Sequence, residues 1–206
     1  ILGNALLAYT SCGTLFFAGV MTLLPVLVNG GIHMDGFLDT MDALNSYGSR
    51  EKKLEILKDS RTGAFAVIGF GLYLVASLAL WSEAEPEMLP VIGAGYVMSR
   101  SLSGLSVMVF PSAKKDGLGR TFQEQAHRKR VAVVMGCWFF AALAVMLMTS
   151  VQMGAAALCT ALLVFWYYHH MAMKQFGGMT GDLAGYFLQL AELLILAAVI
   201  VAGGAL

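Results

Sequence analysis

Six apolar stretches dominate this chain of 206 residues, and each is long enough to cross a lipid bilayer. The stretch at residues 62–82 would be ~31 Å long as an α-helix, which matches a hydrocarbon core of about 30 Å. We therefore predict an all-α, polytopic membrane protein with about six transmembrane helices. They are expected at residues 2–28, 62–82, 88–110, 131–149, 152–173 and 183–203.

The composition supports a membrane protein and argues against a nucleic-acid partner. Hydrophobic residues make up 58% of the chain and charged residues only 13%, against about 25% charged residues in a soluble domain. Lys+Arg and Asp+Glu balance at 13 each, so no basic surface for nucleic acid is expected. We expect residues 1–206 to form a single integral membrane domain. Because Ile1 already lies in an apolar run, we also expect the full protein to have a further N-terminal segment.

The basic residues are distributed unevenly between the loops. Almost all of them lie in the loops 29–61, 111–130 and 174–182, whereas the loop around Glu85 is acidic. Loops rich in Lys and Arg remain on the cytoplasmic side of a membrane. We therefore predict that these three loops face the cytoplasm of a bacterial cell.

The first of these loops contains three aligned carboxylates. Asp39 and Asp42 fall at about 40° and −20° from Asp35 on a helix that advances 100° per residue, so all three share one stripe of an amphipathic helix. An acidic helix start that faces water is the simpler explanation. Aligned like charges repel one another, however, and Mg²⁺ binds such hard oxygen ligands. We predict that Asp35, Asp39 and Asp42 bind Mg²⁺ at the cytoplasmic face.

Basic and glycine-rich segments follow in all three cytoplasmic loops. Glycine-rich turns with neighbouring cations let backbone N–H groups and charges approach phosphate oxygens, which favours a binding role for Arg61, Arg120 and Lys174. Within the predicted spans, Arg100 and Glu192 are costly charges. The sequence leaves two alternatives equally open: Arg100 and Glu192 form a structural ion pair, or Arg100 contacts substrate.

Four motifs together resemble the bacterial cobalamin synthase family, whose activity is adenosylcobinamide-GDP ribazoletransferase. They read GGIHMDGFLDTMDAL from Gly30, KDSRTGAF from Lys58, AKKDGLGRTF from Ala113 and GGMTGDLAGY from Gly177. They occur in the family's order over most of the chain. One departure is the pair Lys114-Lys115, where the family leads us to expect an arginine beside the alanine.

The resemblance implies a Mg²⁺-dependent transferase of cobalamin biosynthesis in the bacterial inner membrane, with its active site facing the cytoplasm. Its substrates would be adenosylcobinamide-GDP and α-ribazole or its 5′-phosphate, and GMP would leave. The partners expected are these substrates and the lipid bilayer, with a homo-oligomer left open. The catalytic candidates are Asp35, Asp39, Asp42 and Asp59. The substrate-binding candidates are Arg61, Arg100, Lys114, Lys115, Arg120, Lys174 and Asp182.

Two other functions compete with this interpretation. A CDP-alcohol phosphotransferase also uses an Asp-rich helix and Mg²⁺, but its motif needs an Ala-Arg pair that does not follow Asp35-Gly36 here. A Mg²⁺ or other ion transporter would use the aspartates for conduction. The clustering of the polar motifs at one membrane face, rather than at mid-bilayer, argues against a transporter.

Overall fold

The computed structural model describes Gly3, Leu6, residues 11–113 and residues 127–204, and this part of the chain is a bundle of α-helices. The only extended pairing among these residues is an isolated parallel bridge between Ser112 and Met179. The helices are α1 (Thr14–Val28), α2 (Ile32–Asn45), α3 (Arg50–Ile56), α4 (Ala64–Ser82), α5 (Leu89–Val109), α6 (Arg128–Thr149), α7 (Val151–Met171) and α8 (Gly181–Gly203). A short 3₁₀ turn (Pro86–Met88) precedes α5, and a π-helical turn (Ala172–Phe176) extends α7.

The prediction of an all-α, multi-pass membrane protein is confirmed, but the count of six spans is not. Four helices have the length and hydropathy of a span, namely α4, α6, α8 and α7 with its π-helical turn. A fifth span results if α1 and α2 are counted as one bent unit. Although α5 has 21 residues, it is not among them, because Arg100 and four serines lower its hydropathy.

The first predicted span is wrong in its extent. Residues 11–13 are not helical, and α1 begins only at Thr14. Its 15 residues correspond to ~22 Å of helix, less than the hydrocarbon core. Gly13 is the N-cap residue of α1, and glycine disfavours a helix interior, so the apolar character of this stretch does not make it one continuous helix.

Helix α8 is the central element of the bundle. It packs against α2, α4, α5 and α7, and its side chains Phe187, Ala191 and Val199 are fully buried. By contrast, α6 contacts mainly α5 and α7 and exposes large apolar side chains such as Trp138 and Phe140. Such an exposed apolar face suits contact with lipid.

Candidate active site

A sharp bend between α1 and α2 sets the direction of the acidic helix. Gly30 and Gly31 adopt φ angles of 63° and 79°, which glycine tolerates because it has no Cβ. The Asn29 side chain stabilises the bend by accepting a hydrogen bond of 3.0 Å from the Gly31 N–H. The two helices meet at 91°. If α1 crosses the membrane, α2 therefore runs along its surface.

The acidic helix crosses the start of α8 at very short range. A Cβ placed on Gly36 would lie 2.7 Å from the carbonyl oxygen of Asp182, and one on Gly185 would lie 2.9 Å from the carbonyl oxygen of His33. Phe37 stacks on Tyr186 of α8, with ring centroids 5.5 Å apart. Glycine in the middle of a helix costs about 0.5–1 kcal/mol relative to alanine, and this close crossing is what Gly36 makes possible.

The crossing brings the first and fourth motifs together. Asp35 and Asp39 flank Gly36 on adjacent turns of α2, with Asp35 exposed and Asp39 partly buried. Asp182 is also partly buried and accepts a hydrogen bond of 3.3 Å from the Thr180 hydroxyl. Thr180 itself caps α8 by accepting from the Leu183 N–H at 3.2 Å. The N-cap of α8 is thus Thr180.

The carboxylates of α2 fit a Mg²⁺ ion only if water and substrate supply most of its ligands. Across residues 11–113 and 127–204, no three or more His, Cys, Asp or Glu side chains are grouped closely enough to hold a metal. Mg²⁺ commonly binds one or two carboxylates and completes its shell with water and substrate phosphates. Asp35 and Asp39 suit that mode, whereas the described residues contain no cage of three or more His, Cys, Asp or Glu ligands.

Asp42 has a structural role that its sequence position did not reveal. Its Oδ2 accepts from the Gly63 N–H at 2.6 Å and its Oδ1 accepts from the Ala66 N–H at 2.9 Å. Gly63 is the N-cap residue of α4 and Ala66 lies in its first turn, so neither N–H has a partner within the helix. Asp42, which is partly buried, therefore joins α2 to the start of α4, and its role as a metal ligand stays a prediction.

Asp59 and Arg61 form an ion pair in the loop before α4. The Arg61 Nη2 lies 2.7 Å from Asp59 Oδ2, and the Arg61 backbone N–H also donates to Asp59 Oδ1 at 3.1 Å. The side-chain hydrogen bond from Arg61, followed by this backbone bond, lowers the pKa of Asp59 to about 2. A carboxylate with so low a pKa is a weak base near neutral pH.

The third motif begins beside the fourth. The Met179 N–H donates to the Pro111 carbonyl at 2.8 Å, and the Ala113 N–H donates to the Met179 carbonyl at 2.9 Å. The start of the loop 111–130 is thereby held next to Met179, which precedes Asp182 by three residues in the chain. The predicted phosphate ligands Lys114, Lys115 and Arg120 lie outside the described residues. Lys174, in the π-helical turn, is exposed.

Two further cations in this region were not singled out from the sequence. Lys53 is only 7% exposed, and its ammonium donates to Gln175 Oε1 at 2.5 Å. Arg50 donates to the Met173 carbonyl at 3.4 Å and lies against Gly177. They attach α3 to the π-helical turn. No sequence signal marks such contacts, because the partners are more than 120 positions apart.

Arg100 lies elsewhere, in the middle of the bundle. Its Nη1 donates to Glu192 Oε1 at 2.6 Å and to the Tyr96 carbonyl at 3.1 Å. The Glu192 side chain is 2% exposed and that of Arg100 is 40% exposed. Of the two alternatives left by the sequence, the ion pair is present. The predicted contact of Arg100 with substrate stays a prediction.

These features define a helical membrane protein whose first and fourth motifs meet where an acidic helix crosses the last span. Residues 1–200 match the family model described as cobalamin-5-phosphate synthase, and the chain belongs to that family.

Proteins named adenosylcobinamide-GDP ribazoletransferase are similar over most of the chain. The one from Lachnoclostridium phytofermentans is 44% identical over 192 residues, which cover 93% of this chain and 74% of that protein. The one from Desulfitobacterium hafniense is 32% identical, covering 87% and 71%. One from Escherichia coli O45:K1 is 30% identical, covering 92% and 76%. No solved structure matches this chain.

Proposed function

We propose that this protein transfers the corrinoid phosphate of adenosylcobinamide-GDP to α-ribazole, or to its 5′-phosphate, and releases GMP. The observation that carries the proposal is the crossing of α2 with α8, where Gly36, between Asp35 and Asp39 in the chain, approaches the backbone of Asp182. The family membership and the names of the similar proteins support the choice of substrates.

The reaction exchanges one P–O bond for another. A ribose hydroxyl of α-ribazole attacks the phosphorus that carries the corrinoid, the bond to the GMP oxygen breaks, and GMP leaves with that electron pair. Phosphoryl transfer depends mainly on positioning and charge stabilisation. When bound by Asp35 and Asp39, Mg²⁺ would neutralise charge on the pyrophosphate.

The chain's own side chains have separable tasks in this proposal. Asp182 orients the attacking hydroxyl and takes up its proton, since it lies at the crossing and a carboxylate can accept that proton. Arg61 and Lys174, together with Lys114, Lys115 and Arg120, neutralise the phosphates. Asp59 holds the Arg61 guanidinium in place rather than acting as the base, because the pKa of Asp59 is about 2.

Product identification tests the activity. The protein in detergent or nanodiscs is incubated with Mg²⁺, α-ribazole and adenosylcobinamide-GDP, and separately with a CDP-alcohol and an acceptor alcohol. We expect GMP from the first mixture only. CMP from the second would indicate a lipid phosphotransferase, and no released nucleotide together with Mg²⁺ uptake into proteoliposomes would indicate a transporter.

We further propose that the site faces the cytoplasm of a bacterial inner membrane, as the distribution of Lys and Arg indicates. Cysteine labelling tests this orientation once Cys12, Cys137 and Cys159 have been replaced, since the last two are exposed. A cysteine at Ser49 or Ser112 should react only from the cytoplasmic side, and one at Glu85 only from outside. Labelling of Ser49→Cys from the periplasm would contradict the orientation.

A further inference from the structure

A small polar cavity lies inside the bundle, away from the α2–α8 crossing. It is lined by residues of α1, α4, α5 and α8. The volume that the centre of a water molecule can occupy in it is about 10 Å³. Thr22 and Glu192 are two of its polar wall residues, and Tyr73, Ser77 and Tyr96 also line the wall. Polar groups from four helices thus meet in a region that apolar side chains otherwise fill.

Two of the buried wall atoms lack hydrogen-bond partners. The Thr22 Oγ1 and the Glu192 Oε2 are both buried, and neither has a hydrogen-bond partner among the described residues. The other carboxylate oxygen of Glu192 is engaged, since Arg100 donates to it at 2.6 Å and the Ser99 hydroxyl donates at 3.4 Å. An unsatisfied buried polar atom is costly, and a bundle seldom keeps two of them around one cavity.

The size and charge of the cavity indicate what it binds. A cavity needs roughly 10–15 Å³ on this measure to hold one water molecule, and the water needs two to four polar partners. Arg100 already balances the charge of Glu192, so the wall attracts a neutral guest rather than a cation. We propose that this cavity binds a single water molecule, to which the Thr22 hydroxyl donates and which donates to Glu192 Oε2.

The water would connect two helices that have few direct contacts. Helix α1 packs chiefly on α4 rather than on α8, yet Thr22 belongs to α1 and Glu192 to α8. Pro25, in the next turn of α1, also lines the cavity and lacks the N–H that would satisfy the Met21 carbonyl. Helix α1 leads directly into the acidic helix α2. The bound water therefore links the segment that precedes α2 to the central helix α8. This inference does not depend on the proposed function.

Replacement of the Thr22 hydroxyl by a methyl group tests whether a water molecule connects Thr22 and Glu192. Thr22→Val keeps the shape of the side chain. If water is bound, the variant removes one of its partners, and we expect the melting temperature in detergent to fall by about 3 °C or more. Without water, the change removes an unsatisfied hydroxyl and should leave the melting temperature equal or higher, which would overturn the proposal.

Thr40→Val is the matched control. The Thr40 Oγ1 is likewise buried and without a partner among the described residues, but Thr40 does not line this cavity. We expect the melting temperature of Thr40→Val to stay equal or rise, because the change removes a hydroxyl that has no partner, whereas that of Thr22→Val falls. An equal fall in both variants would contradict a specific bridge at Thr22.

A high-resolution structure of the protein in nanodiscs tests the proposal without any variant. We expect density for one water within about 3.2 Å of both Thr22 Oγ1 and Glu192 Oε2. Melting temperatures in sodium, potassium and choline chloride of equal ionic strength should agree. Absence of density would overturn the proposal, as would specific stabilisation by one alkali cation, which would make the guest a cation.

Discussion

The two acidic side chains of α8 show how position along one helix decides what a charge can do. Asp182 lies in the first turn, is partly exposed and accepts from the Thr180 hydroxyl. Glu192 lies ten residues further on, with 2% of its side chain exposed, and is paired with Arg100. A carboxylate in mid-bundle needs a protein cation, whereas one at the end can be stabilised by water, a helix N-terminus or a ligand.

This difference suggests a division of labour along the protein. In this hypothesis the charges at mid-bundle, Arg100 and Glu192, hold helices together, whereas the charges at the α2–α8 crossing are the ones that we propose to act on substrate. The predictions below test each side of that division, beginning with the largest effect.

Removal of Arg100 should have the largest effect on stability. Arg100→Met leaves Glu192 buried without its cation, and breaking one partner of such a pair costs about 3–5 kcal/mol when the pair is fully buried. Because Arg100 is 40% exposed, we expect about 3 kcal/mol, measured by unfolding in detergent. The double variant Arg100→Met with Glu192→Leu should regain most of the loss. A stable but inactive Arg100→Met would instead place Arg100 at the substrate.

Asp39→Asn should have the largest effect on activity. The change keeps the shape of the side chain and removes a charge from the crossing, so we expect turnover to fall at least ~100-fold with the melting temperature nearly unchanged. GMP release measures it. Asp42→Asn is the comparison, since Asp42 accepts two backbone N–H groups and should lose stability more than turnover. Near-normal turnover of Asp39→Asn at saturating Mg²⁺ would remove Asp39 from the site.

Asp182→Asn should lose most of the activity, at least ~10-fold, and keep its stability. Thr180 provides the N-cap of α8, so the loss of charge at Asp182 does not uncap the helix. Thr180→Ala is the opposite control and should cost about 1 kcal/mol of stability. If Asp182→Asn were active but less stable, the carboxylate would be structural and the proposed proton acceptor would have to lie elsewhere.

The smallest effect concerns the exposed pair of Asp59 and Arg61. The pKa of Asp59 is about 2 in the folded protein instead of 3.8. The pair therefore stabilises the fold fully above about pH 4, and this contribution disappears as the pH falls through 2. Exposed pairs contribute little, so we expect Asp59→Asn to flatten the pH dependence of the melting temperature between pH 4 and 2 only slightly. A large change would contradict the exposed position of this ion pair and mean that the loop before α4 is buried.

Local patterns predicted several elements correctly. The spacing of Asp35, Asp39 and Asp42 predicted the amphipathic helix, and α2 runs from Ile32 to Asn45. The apolar stretch at 62–82 contains α4 (Ala64–Ser82). These succeed because helix periodicity and a long apolar run are properties of consecutive residues. The prediction of one span at residues 2–28 was wrong in extent, because hydropathy alone does not reveal the break in helical structure at residues 11–13.

The sequence by itself determined the class of protein, most of its helices and the candidate residues of the site, since these depend on composition, periodicity and motif. Only the tertiary structure decided which residues these aspartates contact. It turned Asp42 into a cap for α4 and brought Asp182 to Gly36. It also chose Arg100 as the partner of Glu192. These contacts join residues 21 to 146 positions apart. Local sequence patterns cannot predict them, because they depend on which helices pack together in the folded bundle.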